Sequence, residues 1–132
     1  IPYYPWFLIK EMERLGYYDY SHLLKTAREI NDEMAYYWVN NILQNALKIN
    51  KPLNEVKICI NGITFRKGVK STHYSRNMKI AEILRDKGFN VYVFDELYSK
   101  KEIEAMGLSY LEPRLADMVF ESFTLEIKIN PS

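Results

Sequence analysis

Val56-Lys57-Ile58-Cys59-Ile60-Asn61-Gly62 is the segment on which the architecture of this chain turns. Before it, apolar residues recur every three or four positions; within it, Val56, Ile58 and Ile60 alternate, and the run stops at Asn61-Gly62. A period changing from 3.6 to 2 marks a helix giving way to a strand, and Asn-Gly signals a turn. The segment is therefore predicted as a buried strand followed by a turn. Beyond it, Thr64 to Tyr74 reads as a loop. Met78, Ile80, Ala81, Ile83 and Leu84 then form a helix ending at Lys87-Gly88, with Gly88 in the usual C-terminal position. Val91-Tyr92-Val93-Phe94 is a second strand, ending at Asp95. Strand, loop, helix and strand take about 40 residues, the size of a right-handed βαβ crossover. The fold class is α/β.

Upstream, Leu24, Ala27, Ile30 or Asn31, Met34, Trp38, Ile42 and Ala46 keep a helical period, with no Gly or Pro before Pro52. Ser21 is the expected N-cap. The helix from Ser21 to about Leu47 would be roughly 26 residues, or about 40 Å at 1.5 Å per residue. A helix of that length spans between domains or packs against another subunit. Its Met34, Tyr37 and Trp38 belt predicts a homodimer. Ahead of it, Phe7, Leu8, Met12 and Leu15 recur at helical spacing until Gly16. Lys51 to Asn54 reads as a linker. Downstream, Ser99 with Glu102 predicts a capping box for a short helix ending at Gly107. Met118 to Phe120 and Thr124 to Ile129 are further strand candidates.

The 132 residues are 48% hydrophobic and 27% charged, enough to bury a core and to exclude global disorder. Mean hydropathy is −0.30 and no run of eighteen apolar residues exists, so no membrane span is expected. A single cysteine, Cys59, excludes a disulfide scaffold. A net charge of +1 excludes a globally basic nucleic-acid binder. The chain begins with Ile1, and Ile1 to Leu8 lacks the basic start and small-residue cleavage site of a signal peptide. A piece of a longer cytoplasmic protein is the expectation. The basic charge is local. Between Val56 and Ala81 there is no Asp or Glu, but there are Lys57, Arg66, Lys67, Lys70, Arg76 and Lys79. These are 6 of the 18 basic residues, leaving 12 against 17 acidic ones elsewhere, which predicts a local anion site.

In open α/β sheets, ligands bind at the carboxyl ends of the strands. Gly62-Ile63-Thr64-Phe65-Arg66-Lys67-Gly68-Val69-Lys70 holds that position after the first strand. Gly62 and Gly68 allow close backbone approach, Arg66, Lys67 and Lys70 supply charge, and the helix after Ser75 adds its dipole. The segment therefore reads either as a seat for a phosphate-bearing ligand or as a solvated basic loop. It is neither GxGxxG nor a Walker loop. Cys59, mid-strand among apolar residues, reads as a buried structural cysteine rather than a nucleophile. His22 reads as solvated. His73 lies in the basic loop, with ligand contact as one reading. Asp95 is either a ribose ligand or a strand-end turn residue. The aromatic set Tyr3, Tyr4, Trp6 and Phe7 reads as core or interface.

Three motifs resemble the nucleotide-sugar dehydrogenase family, which includes UDP-glucose, GDP-mannose and UDP-N-acetylmannosamine dehydrogenases. Ile1-Pro2-Tyr3-Tyr4-Pro5-Trp6-Phe7-Leu8 is similar to the stretch that follows the family's catalytic cysteine. Ala27-Arg28-Glu29-Ile30-Asn31-Asp32 matches its central-helix motif, and Gly62-Ile63-Thr64-Phe65-Arg66, onward to Ser75, resembles its Gly-Leu-Ala-Phe-Lys signature. Order and spacing agree over nearly the whole chain, least well at its end. The resemblance implies a long central helix followed by a Rossmann-like parallel-sheet domain. Residues 1–50 would be the central dimerising region, and residues 55–132 the domain that binds the nucleotide of a UDP-sugar. It implies Gly62, Phe65, Arg66 and Lys67 as substrate-binding residues. The family oxidises the sugar C6 alcohol to a carboxylate in two NAD-dependent steps through a cysteine thioester. NAD would be bound mainly by an N-terminal domain outside this chain, as would the cysteine, so no catalytic residue is expected here.

The chain departs from the family pattern at four places. Tyr4 replaces an aspartate, Arg66 the signature lysine, Ser71 an aspartate and His73 an arginine. In the family that arginine reaches the NAD side of the cleft, so the resemblance implies His73 as the cofactor-side residue. The competing class is a non-catalytic nucleotide-sugar-binding or dimerisation module. A response-regulator-like domain is disfavoured by the missing acidic cluster for Mg²⁺.

Overall fold

The computed structural model describes residues 10, 14–16, 18–64, 67, 68, 70–72 and 75–131. Two compact units make up the chain, residues 1–34 and 35–132. In the first, Leu15 is exposed and Gly16 takes φ 87°, ending a turn as its position predicts. The opening motif, with Tyr4, and the predicted Phe7 to Met12 helix face lie outside the described residues, save Lys10.

Helix α1 (Tyr18–Ala46) runs 29 residues, the first part belonging to the first unit and the part from Ala35 to the second. It begins three residues before Ser21, which therefore sits inside the helix instead of capping it. Tyr18 and Tyr20 carry only a small helix penalty, so the helix extends upstream of its expected start.

The second unit contains a four-stranded sheet in the order β2-β1-β3-β4. Its strands are β1 (Ile58–Asn61), β2 (Val91–Phe94), β3 (Met118–Glu121) and β4 (Glu126–Ile129). β1 pairs in parallel with β2 and with β3, while β4 runs antiparallel to β3 at the edge. The sheet is thus mostly parallel, with one hairpin. That hairpin corrects the expected strand over Thr124 to Ile129: Ser122 to Leu125 forms the turn, and Leu125 takes φ 55°. Between the strands lie α2 (Arg76–Asp86) and α3 (Lys100–Ala105). Ser75 caps α2, its hydroxyl accepting from Met78 N at 3.2 Å. Ser99 and Glu102 close the predicted capping box on α3.

Alternation places Ile58, Ile60, Val91, Val93, Met118 and Phe120 in the main core, with Ala35, Val39, Ile42 and Ala46 of α1 and Ile80, Ala81, Ile83 and Leu84 of α2. Trp38, expected in an exposed belt, instead packs inward, its ring 5.3 Å from Phe120. The opposite face of the sheet carries a smaller cluster of Cys59, Ala116 and Val119, with Phe94 and Leu111 against it.

Candidate functional site

Strand order sets where a ligand fits. The connection from β1 leads to one side of β1 and the later strand β3 returns to the other, so the strand order reverses between β1 and β3. A crevice at the carboxyl ends of those two strands is the favoured ligand position in such sheets. The structure has a cleft of about 220 Å³ there. Asn61 and Gly62 come from β1, Phe94, Asp95 and Glu96 from the end of β2, Glu121, Phe123 and Thr124 from the end of β3, and Lys67 from the loop.

Of the predicted site residues, Gly62 and Lys67 line this cleft. Phe65, Arg66 and His73 lie outside the described residues. Gly62 takes φ 101°, and a Cβ there would fall 2.5 Å from Phe123 Cε2. The glycine is therefore required by its backbone and by the Phe123 ring packed against it.

Among the described residues, the basic cluster does not converge on one point. Lys57 precedes β1 at the amino end of the sheet. Lys70 pairs with Glu102 at 2.8 Å and stands 5.1 Å from the Tyr98 ring centroid. That mutual hydrogen bond pushes the Lys70 ammonium up and holds Glu102 below the usual carboxylate range. Burial pushes the Arg76 guanidinium down, and its Nε has no hydrogen-bond partner among the described residues. Among the described residues, Lys67 is the cation lining the cleft. Glu96 and Glu121 line the cleft as well, so its described lining carries more acid than base.

Asp95 is buried, and both carboxylate oxygens are used locally. Oδ2 accepts from Ile63 N at 2.9 Å and Oδ1 from Leu97 N at 2.9 Å. It is the turn residue of its two sequence readings, fastening the start of the loop after β1 to the end of β2. Cys59 is buried, its Sγ 3.5 Å from Leu111 O. Burial, with the Glu121 charge adding to it, pushes the thiol pKa up to about 12. Such a thiol stays protonated at neutral pH and is no nucleophile.

Sequence reasoning missed Asn61, Phe94, Glu96, Glu121, Phe123 and Thr124 as cleft residues. The rule that placed the loop after β1 also marks the ends of β2 and β3. Reading a strand from Thr124 concealed that Phe123 and Thr124 form a turn at the carboxyl edge. Among the described residues, no group of three or more metal-ligating side chains forms, and no helix is long and apolar enough to cross a membrane.

Fold and cleft together define a Rossmann-like α/β domain with its ligand position at the β1/β3 edge. No family model matches the chain. It is similar to the UDP-N-acetyl-D-mannosamine dehydrogenase of Methanococcus vannielii, 27% identical over 104 residues, covering 79% of this chain and 22% of that protein. The enzyme of the same name from Methanocaldococcus jannaschii is 32% identical over 92 residues, covering 70% of this chain and 19% of that protein. Protein CapL of Staphylococcus aureus is 26% identical over 116 residues, covering 87% and 27%. The chain spans about a fifth to a quarter of the length of these curated relatives.

Proposed function

We propose that this chain is the dimerising and nucleotide-binding portion of an NAD-dependent nucleotide-sugar 6-dehydrogenase acting on a UDP-sugar of the UDP-glucose or UDP-N-acetylmannosamine type. The observation that carries this is a coincidence of place. The similarity to UDP-N-acetyl-D-mannosamine dehydrogenases covers 70–79% of the chain, and the loop with the family-like signature leaves β1 at the sheet's ligand edge. In this reading residues 1–50 dimerise and residues 55–132 hold the nucleotide. Gly62 shapes the loop, while Phe65, Arg66 and Lys67 contact substrate. His73 lies on the cofactor side. The described residues do not fit a dinucleotide in this domain. Asp95, at the end of β2 where a ribose ligand would stand, has both oxygens on backbone amides. No redox step is therefore assigned to this chain's own residues.

Arg66 offers a planar fork to phosphate or ribose oxygens. Calorimetric titration with UDP tests the proposal on the wild type and on Arg66→Ala. Weak binding is expected, falling with added salt. Loss of one charge-assisted contact typically costs about 1.5–3 kcal/mol, so Arg66→Ala should weaken it roughly tenfold or more. Absence of UDP binding, or equal binding by the variant, overturns the assignment.

A further inference from the structure

We propose that the open edge of β4 joins two copies of this chain: Glu126-Ile127-Lys128 of one copy lies antiparallel to the same residues of the other, about a two-fold axis at the Ile127 pair. This rests on the dimerising reading above and adds to α1 a surface outside residues 1–50.

The backbone of β4 offers the pairing. β4 ends the strand order β2-β1-β3-β4, and among the described residues no strand pairs with its outer side. Asn130 N donates to Asp117 O at 3.0 Å, continuing the β3–β4 register by one step. Hydrogen-bonded and non-bonded pairs alternate along an antiparallel ladder, so Glu126 and Lys128 bond to β3. The N–H and C=O groups of Ile127 and Ile129 therefore point outward, a template for a further strand.

Charge selects what can pair there. Glu126 and Lys128 are exposed, and neither has an ion-pair partner among the described residues. Within the chain, Glu126 stands opposite a like charge, Glu121. A second copy with Ile127 facing Ile127 exchanges two backbone hydrogen bonds through that pair. It also sets Glu126 against Lys128 twice, in non-bonded pairs whose Cα atoms are about 4.5 Å apart. Shifting the partner by two residues sets Lys128 against Lys128 in one direction and Glu126 against Glu126 in the other. A shift of four places Ile127 opposite Pro131, which has no N–H to donate. The charges that guard this edge thus accept its own copy in a single register.

Packing joins this edge to α1. Ile127 and Ile129 stand opposite Phe120 and Met118, on the face of the sheet that α1 covers, and Ile129 is 48% exposed. Ring contacts run from Phe120 to Trp38 and from Trp38 to the exposed Tyr37, each 5.3 Å between centroids. A two-fold axis perpendicular to the sheet keeps each face on its own side. It therefore brings the α1 helices of both copies to one side of a continuous sheet, where one dimer uses both contacts. Strand pairing adds area toward the roughly 1,200–2,000 Å² of a standard interface.

The test is light scattering over a concentration series on the wild type, Glu126→Lys, Lys128→Glu and an equimolar mixture of the two variants. Both positions are exposed, so the urea midpoints should be unchanged. Each variant alone should dimerise about tenfold or more weakly, because both opposite-charge pairs become like-charge pairs. The mixture should dimerise about as tightly as the wild type, since the lysines of one variant then face the glutamates of the other. Amide exchange at Ile127 in the wild type should slow as concentration rises, a readout that a dimer through α1 alone leaves unmoved and that needs no variant to fold. Wild-type affinity in both single variants, a mixture no tighter than its components, or Ile127 exchange independent of concentration in a wild type that dimerises overturns the inference and leaves the α1 contact standing. A wild type of single mass at every concentration overturns both.

Discussion

Gly62 answers two constraints together, a φ of 101° and the Phe123 ring where a Cβ would stand. Gly68 answers one, a φ of 82° with open space around it. The pair separates backbone strain from packing. An L-residue in this backbone region costs on the order of 1–2 kcal/mol, and that is the expected loss for Gly68→Ala. Gly62→Ala should lose more, about 2–4 kcal/mol, because the ring must also move. Urea unfolding of both variants checks this. Equal losses would mean that Phe123 yields freely and that its packing on Gly62 is incidental. Cys59 makes the contrasting point at this scale. Its neighbours Ile58 and Ile60 were enough to read it as buried, and the thiol near pKa 12 is what that burial produces.

Elements were legible where the sequence signal is local. Val91-Tyr92-Val93-Phe94 lies between Gly88 and Asp95, and β2 occupies those four residues. Ser99 and Glu102 stand three apart, and their capping box needs nothing from outside the helix. The carboxyl edge was legible only in part, because it depends on groups far apart in sequence. Nothing near Asp95 says that the Ile63 amide, 32 residues earlier, will take one carboxylate oxygen. Nothing near Lys70 says that Glu102 will draw it toward α3. Basic residues close in sequence looked like one site, and among the described ones Lys57 stands at the amino end of the sheet while Lys70 pairs with Glu102. The amino edge holds another such pairing. Asp117, just before β3, accepts from Lys57 N at 2.8 Å and meets Lys51 Nζ at 3.0 Å. Partial burial pushes its carboxyl up, but the Lys57 amide and the Lys51 ammonium together outweigh this and hold it below the usual carboxylate range. A carboxyl lowered in the folded state stabilises the fold above its unfolded pKa of about 3.9, and that stability is lost as pH falls through the folded value. Asp117→Asn should therefore cost about 1 kcal/mol near pH 7, at the low end because Lys51 is half in solvent. The gap from wild type should shrink as pH drops below about 4. A gap equally large at pH 7 and near pH 2.5 would show that the charge of Asp117 contributes nothing.

The whole molecule raises the question of what covers α1. In the second unit, Tyr36 and Tyr37 are each 51% exposed and Leu47 is 68% exposed, while Trp38 between them turns to Phe120. Sequence periodicity placed Trp38 with the exposed residues, and only the packed core separates it from them. These two half-exposed tyrosines and the leucine are the surface that a second copy would cover in our proposal. Each aromatic side chain buries about 150–250 Å² when covered, so these residues from two copies supply only part of the roughly 1,200–2,000 Å² of a standard interface. Our proposal of a dimer along α1 is thus a proposal of a concentration-dependent one. Light scattering on the chain at tens of micromolar should give about twice 15.7 kDa, falling toward the single-chain mass on dilution. Tyr36→Glu with Tyr37→Glu places two like charges per copy on the contact, and should hold the chain at its single mass across that range. Both tyrosines are more than half exposed, so the double variant should unfold at nearly the wild-type urea midpoint. A wild type that scatters as 15.7 kDa at every concentration would leave α1 without a second copy against it, and the dimerising part of the proposed function would fall while nucleotide binding by residues 55–132 could still be tested on its own.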